Sequence, residues 1–97
     1  MPLPILSPSE QKALRGLAQR LEPVVQVGKS GVSAALIKEL DFALKRDELV
    51  KLRFHADRAA IIKQAQVLSD ASQALLINQL GKTAVFYRPK PHQKSES

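Results

Sequence analysis

The chain is 97 residues long and carries fifteen Lys and Arg against nine Asp and Glu, a formal net charge of +6. It contains no cysteine and no tryptophan, and its 44% hydrophobic and 25% charged residues are ordinary for one small globular domain. The missing cysteines exclude disulfide scaffolds, thiol redox chemistry and cysteine zinc sites, while the positive excess points to a polyanion, nucleic acid ahead of an anionic membrane.

Residues 1–6, Met-Pro-Leu-Pro-Ile-Leu, lack the basic start and long apolar run of a signal peptide and are expected to be an extension. The run Ala74-Leu75-Leu76-Ile77 is far too short to span a membrane, so a cytoplasmic protein without membrane contact is expected. Ser7-Pro8-Ser9-Glu10 then has the N-cap, first-turn proline and third-position Glu of a capping box. Leu14, Leu17, Ala18 and Leu21 continue it as the apolar stripe of a first helix, with Lys12, Arg15, Gln19 and Arg20 on the opposite side. Pro23 ends that pattern, and Val24–Val27 reads as a short strand.

Gly28-Lys29-Ser30-Gly31 breaks the strand, and a second helix is expected from about Val32 to Arg46. Leu36, Leu40, Ala43 and Leu44 form its inward stripe, and Asp41 and Lys45 are a favourable i, i+4 pair. Glu48–Phe54 alternates as a strand, with Val50, Leu52 and Phe54 on one face and Leu49, Lys51 and Arg53 on the other. Asp57 is placed to cap a third helix reaching about Ala71, with Ile61, Ala65 and Leu68 inward. Gln73–Leu80 and Thr83–Arg88 are two further strands joined by a hairpin at Gly81-Lys82. Residues 90–97 are polar and read as a disordered tail, which leaves 7–89 as the domain.

The expected fold is α/β, a two-layer sandwich in the order α-β-α-β-α-β-β, its four-stranded mixed sheet carrying helices on one face. Helices of this length return the chain between strands, so the first three strands should run parallel and end at one edge. That edge gathers Lys29, Arg53, His55, Arg58 and Lys82, with Lys12 and Arg15 of the first helix expected at the same end. Ligands usually bind at this edge in open α/β sheets.

Gly-Lys-Ser is not a Walker A loop, because the position five before Gly28 is Pro23, and no Gly-x-Gly-x-x-Gly occurs. What remains is Gly-x-x-Gly feeding a helix start. Glycines let a phosphate approach the backbone, free N–H groups and the helix dipole favour an anion, and Lys29 and Ser30 add donors. A tight strand-to-helix turn would use the same glycines. Lys29 inside the loop, and the basic edge around it, favour phosphate binding.

Leu14-Arg15, Leu21-Glu22-Pro23, Val27–Val32, Glu48–Lys51, Gln79–Lys82 and Phe86–Pro89 follow one another along the chain. Together, in this order, they resemble the CRM domain, the RNA-binding module named from chloroplast RNA splicing and ribosome maturation, in its stand-alone bacterial form. The resemblance covers about Leu6 to Pro89 and implies a fold similar to the C-terminal domain of a translation initiation factor. It implies RNA binding through Gly28, Lys29 and Gly31 with the second-strand Lys51, and association with precursors of the large ribosomal subunit. Where the family often has His before the Glu of strand two, this chain has Asp47.

The expected RNA-binding set is therefore Gly28, Lys29, Ser30, Gly31, Lys51, Arg53, Lys82, Lys12 and Arg15. Lys12, Arg15 and Arg20 would equally suit the solvated face of an amphipathic helix, Arg58 would merely flank a cap, and Arg88 would blunt an edge strand. Phe42, Phe54 and Phe86 are expected in the core, and Tyr87 stays open between core and base stacking. His55 and His92 are too few for a metal site, and no nucleophile–base pair or carboxylate dyad can be assembled. The expectation is a monomeric, non-catalytic protein without cofactor. An adaptor that docks on ribosomal proteins or translation factors is the alternative.

Overall fold

The computed structural model describes residues 6–89. The extension, apart from Leu6, and the tail at 90–97 lie outside the described residues. The elements are α1 (Pro8–Ala18), β1 (Val25–Val27), α2 (Ala34–Asp47), β2 (Leu49–Phe54), α3 (Arg58–Ser72), β3 (Leu75–Leu80) and β4 (Thr83–Tyr87), in the expected order.

Each helix begins where a side chain can take a first-turn N–H. The Ser7 hydroxyl accepts from Glu10 N at 3.2 Å while Glu10 Oε1 accepts from Ser7 N at 2.9 Å, completing the capping box. Ser33 accepts from Leu36 N at 3.1 Å, so α2 starts at Ala34, two residues beyond the expected Val32. Asp57 accepts from Ala60 N at 2.9 Å at the start of α3. Helix α1 ends at Ala18, short of the apolar pattern that runs to Leu21. There Arg20 N and Leu21 N reach back only three residues, to Leu17 O and Ala18 O, and Gly16 weakens the last turn.

The sheet order is β1-β2-β4-β3. β1 pairs parallel with β2, while β4 is antiparallel to both β2 and β3. The first three strands thus point the same way, as expected, and the last inserts between two of them. β4 is central, so Arg88 does not blunt an edge. Arg88 Nη1 donates to Ser72 O at 2.6 Å and Nη2 to Asp41 O at 3.2 Å, with the Asp41 carboxylate 2.9 Å from Nη2. It ties the end of α3 to the middle of α2. Burial alone would raise the Asp41 pKa, but hydrogen bonds from Arg88 and Lys45 outweigh it and hold the carboxyl below its ordinary value.

The core fills the face that carries α2 and α3. Val25, Val27, Val50, Leu52, Phe54 and Phe86 meet Leu36, Leu40 and Leu44 of α2 and Ile61, Ala65 and Leu68 of α3. Helix α1 departs from the expectation of helices on one face, because it packs against β2 and β3 across the other face. Val85, the partner of Lys51, is buried there, as is Ala18, and neither belongs to the main core. An apolar stripe with i, i+3, i+4 spacing would serve either face, which is why the pattern alone misplaced the helix. Phe42 is a second correction: it is 67% exposed on α2, with the Arg46 guanidinium 6.0 Å above its ring. The inward stripe of α2 is already filled by Leu36, Leu40, Ala43 and Leu44, and Phe42 falls outside that stripe.

Candidate nucleic-acid interface

The C-terminal ends of β1, β2 and β3 share one end of the domain, and three tight segments close it. Gly31 N donates to Gly28 O at 3.0 Å, making residues 28–31 a turn with Lys29 and Ser30 exposed at its tip. Neither central residue has positive φ, whereas Gly31 takes φ +83° as it leaves the turn. The backbone N–H groups of Lys29 and Ser30 donate to nothing among the described residues. Partly buried Val32 anchors the far side of the turn on the core. His55 N donates to Val27 O at 3.1 Å, and His55 Nε2 lies 2.8 Å from Gln26 Oε1. Phe54 N donates to Lys82 O at 2.7 Å, which binds the β3–β4 turn to the end of β2.

Lys29, His55, Arg58 and Lys82 therefore crown one rim, together with the N-terminal ends of α2 and α3, whose dipoles add to the positive potential. Arg53 pairs with Thr83 beside that rim, exposed on the sheet face that carries α1. Lys51 shares this face but sits two residues lower, half-buried at the mouth of a groove of about 530 Å³ with Leu17, Arg20, Leu21, Val24 and Leu49.

Lys12 and Arg15 are not brought to the rim. Gln11 lines a small hollow with Leu75, Leu76 and Ile77, and the end of α1 meets Leu49 and Lys51. Helix α1 thus crosses the starts of β2 and β3, the ends of those strands away from the glycine turn. Tyr87 is at that far end too: partial burial raises its pKa, and the Glu48 and Glu10 charges add to the shift. It has no place among the rim residues. Arg58 and His55 belong to the rim by position, and the sequence signal for both was their place just after a strand end.

Ion pairs lie away from the rim, although among the described residues Lys12, Arg15, Arg20 and Lys63, also away from the rim, have none either. All three ion pairs among the described residues, Lys45–Asp41, Arg46–Asp47 and Arg88–Asp41, involve α2 beyond its second turn or the end of β4. None of Lys29, Arg53, Arg58 or Lys82 has an ionic partner among the described residues. The Asp57 carboxylate beside Arg58 is engaged with Ala60 N. No three His, Cys, Asp or Glu among the described residues form a metal-ligating group, and no described helix is long and apolar enough to cross a membrane.

The two glycines have different structural duties. A Cβ on Gly28 would meet nothing within 4 Å, whereas one on Gly31 would come 3.0 Å from Gln64 Nε2 at a φ that L-residues avoid. The Gln64 amide ends a flexible side chain and can shift, so backbone strain dominates. Gly31→Ala is expected to lower stability by about 1–2 kcal/mol in urea unfolding, and Gly28→Ala by less than about 0.5 kcal/mol. Equal losses would contradict this division.

A small α/β domain with a glycine turn and uncompensated cations at the ends of its parallel strands is the class these features define. The CRS1 / YhbY (CRM) domain model matches residues 6–88, and the chain belongs to that family. A Haemophilus influenzae protein named RNA-binding protein is 31% identical over 90 residues, 92% of this chain and 91% of its own. The Bacillus subtilis protein named "Probable RNA-binding protein YqeI" is 31% identical over 94 residues, 93% of this chain and 95% of its own. A hypothetical protein of Staphylococcus aureus, solved in solution, superposes with a TM-score of 0.79 at 30% identity, over 93% of this chain and 95% of that one.

Proposed function

We propose that this chain is a non-catalytic RNA-binding protein that binds ribosomal RNA in precursors of the large subunit and assists their assembly. The observation that carries the RNA reading is the gathering of Lys29, Arg53, Arg58 and Lys82, none ion-paired among the described residues, around the glycine turn. In this reading Gly28 and Gly31 let a phosphate reach the turn, whose Lys29 and Ser30 N–H groups face it with the Lys29 ammonium. Lys82 and Arg53 continue the track, and Lys51 prolongs it down the second sheet face. Lys12 and Arg15 are left out of the contact. The names of the relatives support the RNA partner, and the ribosomal target rests on the family resemblance. The protein works as a monomer in the cytoplasm and needs no cofactor.

Lys29→Ala is expected to weaken RNA binding and to reduce the slope of log K against log salt by about 0.7–0.9, one phosphate contact. An unchanged slope removes Lys29 from the interface. Crosslinking in cells followed by sequencing should recover mainly ribosomal RNA, and recovery of mainly transfer or messenger RNA would refute the assembly role. The adaptor reading draws on exposed Phe42, and it predicts association that survives nuclease and high salt.

A further inference from the structure

A cleft of about 450 Å³ opens between the first turn of α3 and the β3–β4 hairpin, lined by Arg58, Ile61, Leu80, Gly81 and Lys82. Its volume falls within the roughly 300–1,000 Å³ of clefts that take small organic groups. Buried Ile61 contributes from the core side, while Leu80 is 72% exposed, the most of any large apolar side chain described. Arg58 and Lys82 are both exposed, and neither is in an ion pair among the described residues.

The hairpin wall is held in place before any ligand arrives. Thr83 Oγ1 donates to Leu80 O at 2.9 Å, Gln79 Nε2 to Gly81 O at 3.0 Å, and Phe54 N to Lys82 O at 2.7 Å. Three consecutive carbonyls are thus tied down, and little ordering is left for a ligand to impose. Leu80 is thus an exposed apolar side chain on a tethered backbone, beside cations and outside the main core. An apolar flat group joined to an anion matches this combination, and a nucleotide has both parts. The cleft also adjoins the glycine-turn rim, so one strand of RNA can reach both.

We infer that this cleft takes one unpaired base of the bound RNA, laid against Leu80 and Ile61, with its neighbouring phosphates drawn to Arg58 and Lys82. The inference rests on the RNA-binding reading and adds to it a preference for single-stranded or extruded nucleotides. A base stacked and paired inside a duplex cannot enter.

The test compares the native chain, Leu80→Ser and Lys29→Ala by fluorescence anisotropy. The probes are a short labelled single-stranded RNA and an RNA duplex of equal length. Leu80→Ser is expected to weaken single-strand binding roughly five- to tenfold, at the lower end of what one base contact contributes, without changing the salt slope. Duplex binding should stay within about twofold, because phosphate contacts dominate it. The melting temperature should match that of the native chain, since Leu80 lies outside the core. Lys29→Ala should weaken both probes. If Leu80→Ser affects both RNAs equally, or neither, while Lys29→Ala still weakens both, the base cleft is overturned and RNA binding stands. A peptide occupant would give the "neither" result. If the native chain binds neither RNA, both readings fall together.

Discussion

Arg88→Ala is expected to destabilise the domain by about 2–4 kcal/mol while leaving RNA affinity unchanged. The guanidinium donates to two backbone carbonyls, Ser72 O and Asp41 O, and pairs with the Asp41 carboxylate from a part-buried position. Hydrogen bonds from a charged donor contribute about 1.5–3 kcal/mol each, and removing the donor leaves a part-buried carbonyl at the end of α3 without its partner. Urea unfolding followed by far-UV circular dichroism measures the loss, since the chain has no tryptophan to report it. A loss below about 1 kcal/mol would show that water replaces the guanidinium freely.

The pH dependence has a definite sign. Because the folded-state pKa of Asp41 is lowered, its ion pairing contributes fully above the unfolded value of about 3.9 and is lost as pH falls through the lower folded value. The gap between native and Arg88→Ala proteins should therefore narrow in strong acid and stay constant from about pH 5 upward.

Reversing both rim lysines, Lys29→Glu with Lys82→Glu, should weaken RNA binding by about a hundredfold at physiological salt. Each reversal replaces an attraction of about 1 kcal/mol near a phosphate with a repulsion of similar size, and salt screens the sum. Lys12→Glu with Arg15→Glu changes the net charge equally and provides the control. It lies across the other end of the sheet, so its effect should stay within about fivefold at physiological salt, where charges more than roughly 8 Å from the contact are largely screened. Equal losses from the two doubles in a filter-binding assay would mean that overall charge, not a localised interface, governs association.

Much of this layout was legible in the residues. Ser7, Asp57 and the Gly28–Gly31 segment punctuate the chain locally, and each acts within a few residues of itself, so element order and the glycine edge followed from spacing. What depended on distant partners did not. Helix α1 could lie on either sheet face until the buried position of Val85 on the Lys51 face supplied a second surface for it. With that face went the placement of Lys12 and Arg15. Arg88 read as an edge residue because its acceptors lie 16 and 47 positions away in the chain. An apolar aromatic such as Phe42 is expected in the core, but a side chain outside the filled stripe of α2 has no interior to enter.

The central place of β4 bears on how the protein is made. In the sheet, β3 pairs only with β4, and β2 reaches β3 only through it. During synthesis the first two strands can meet through α2, but the third emerges with no sheet partner at all. Some thirty residues separate the end of β2 from the middle of β4, or roughly 2–6 s of elongation at 5–20 residues per second. For that interval the apolar face of β2 is half-assembled and the nascent chain cannot close its core. The strand that completes the sheet is the last of the four to leave the ribosome.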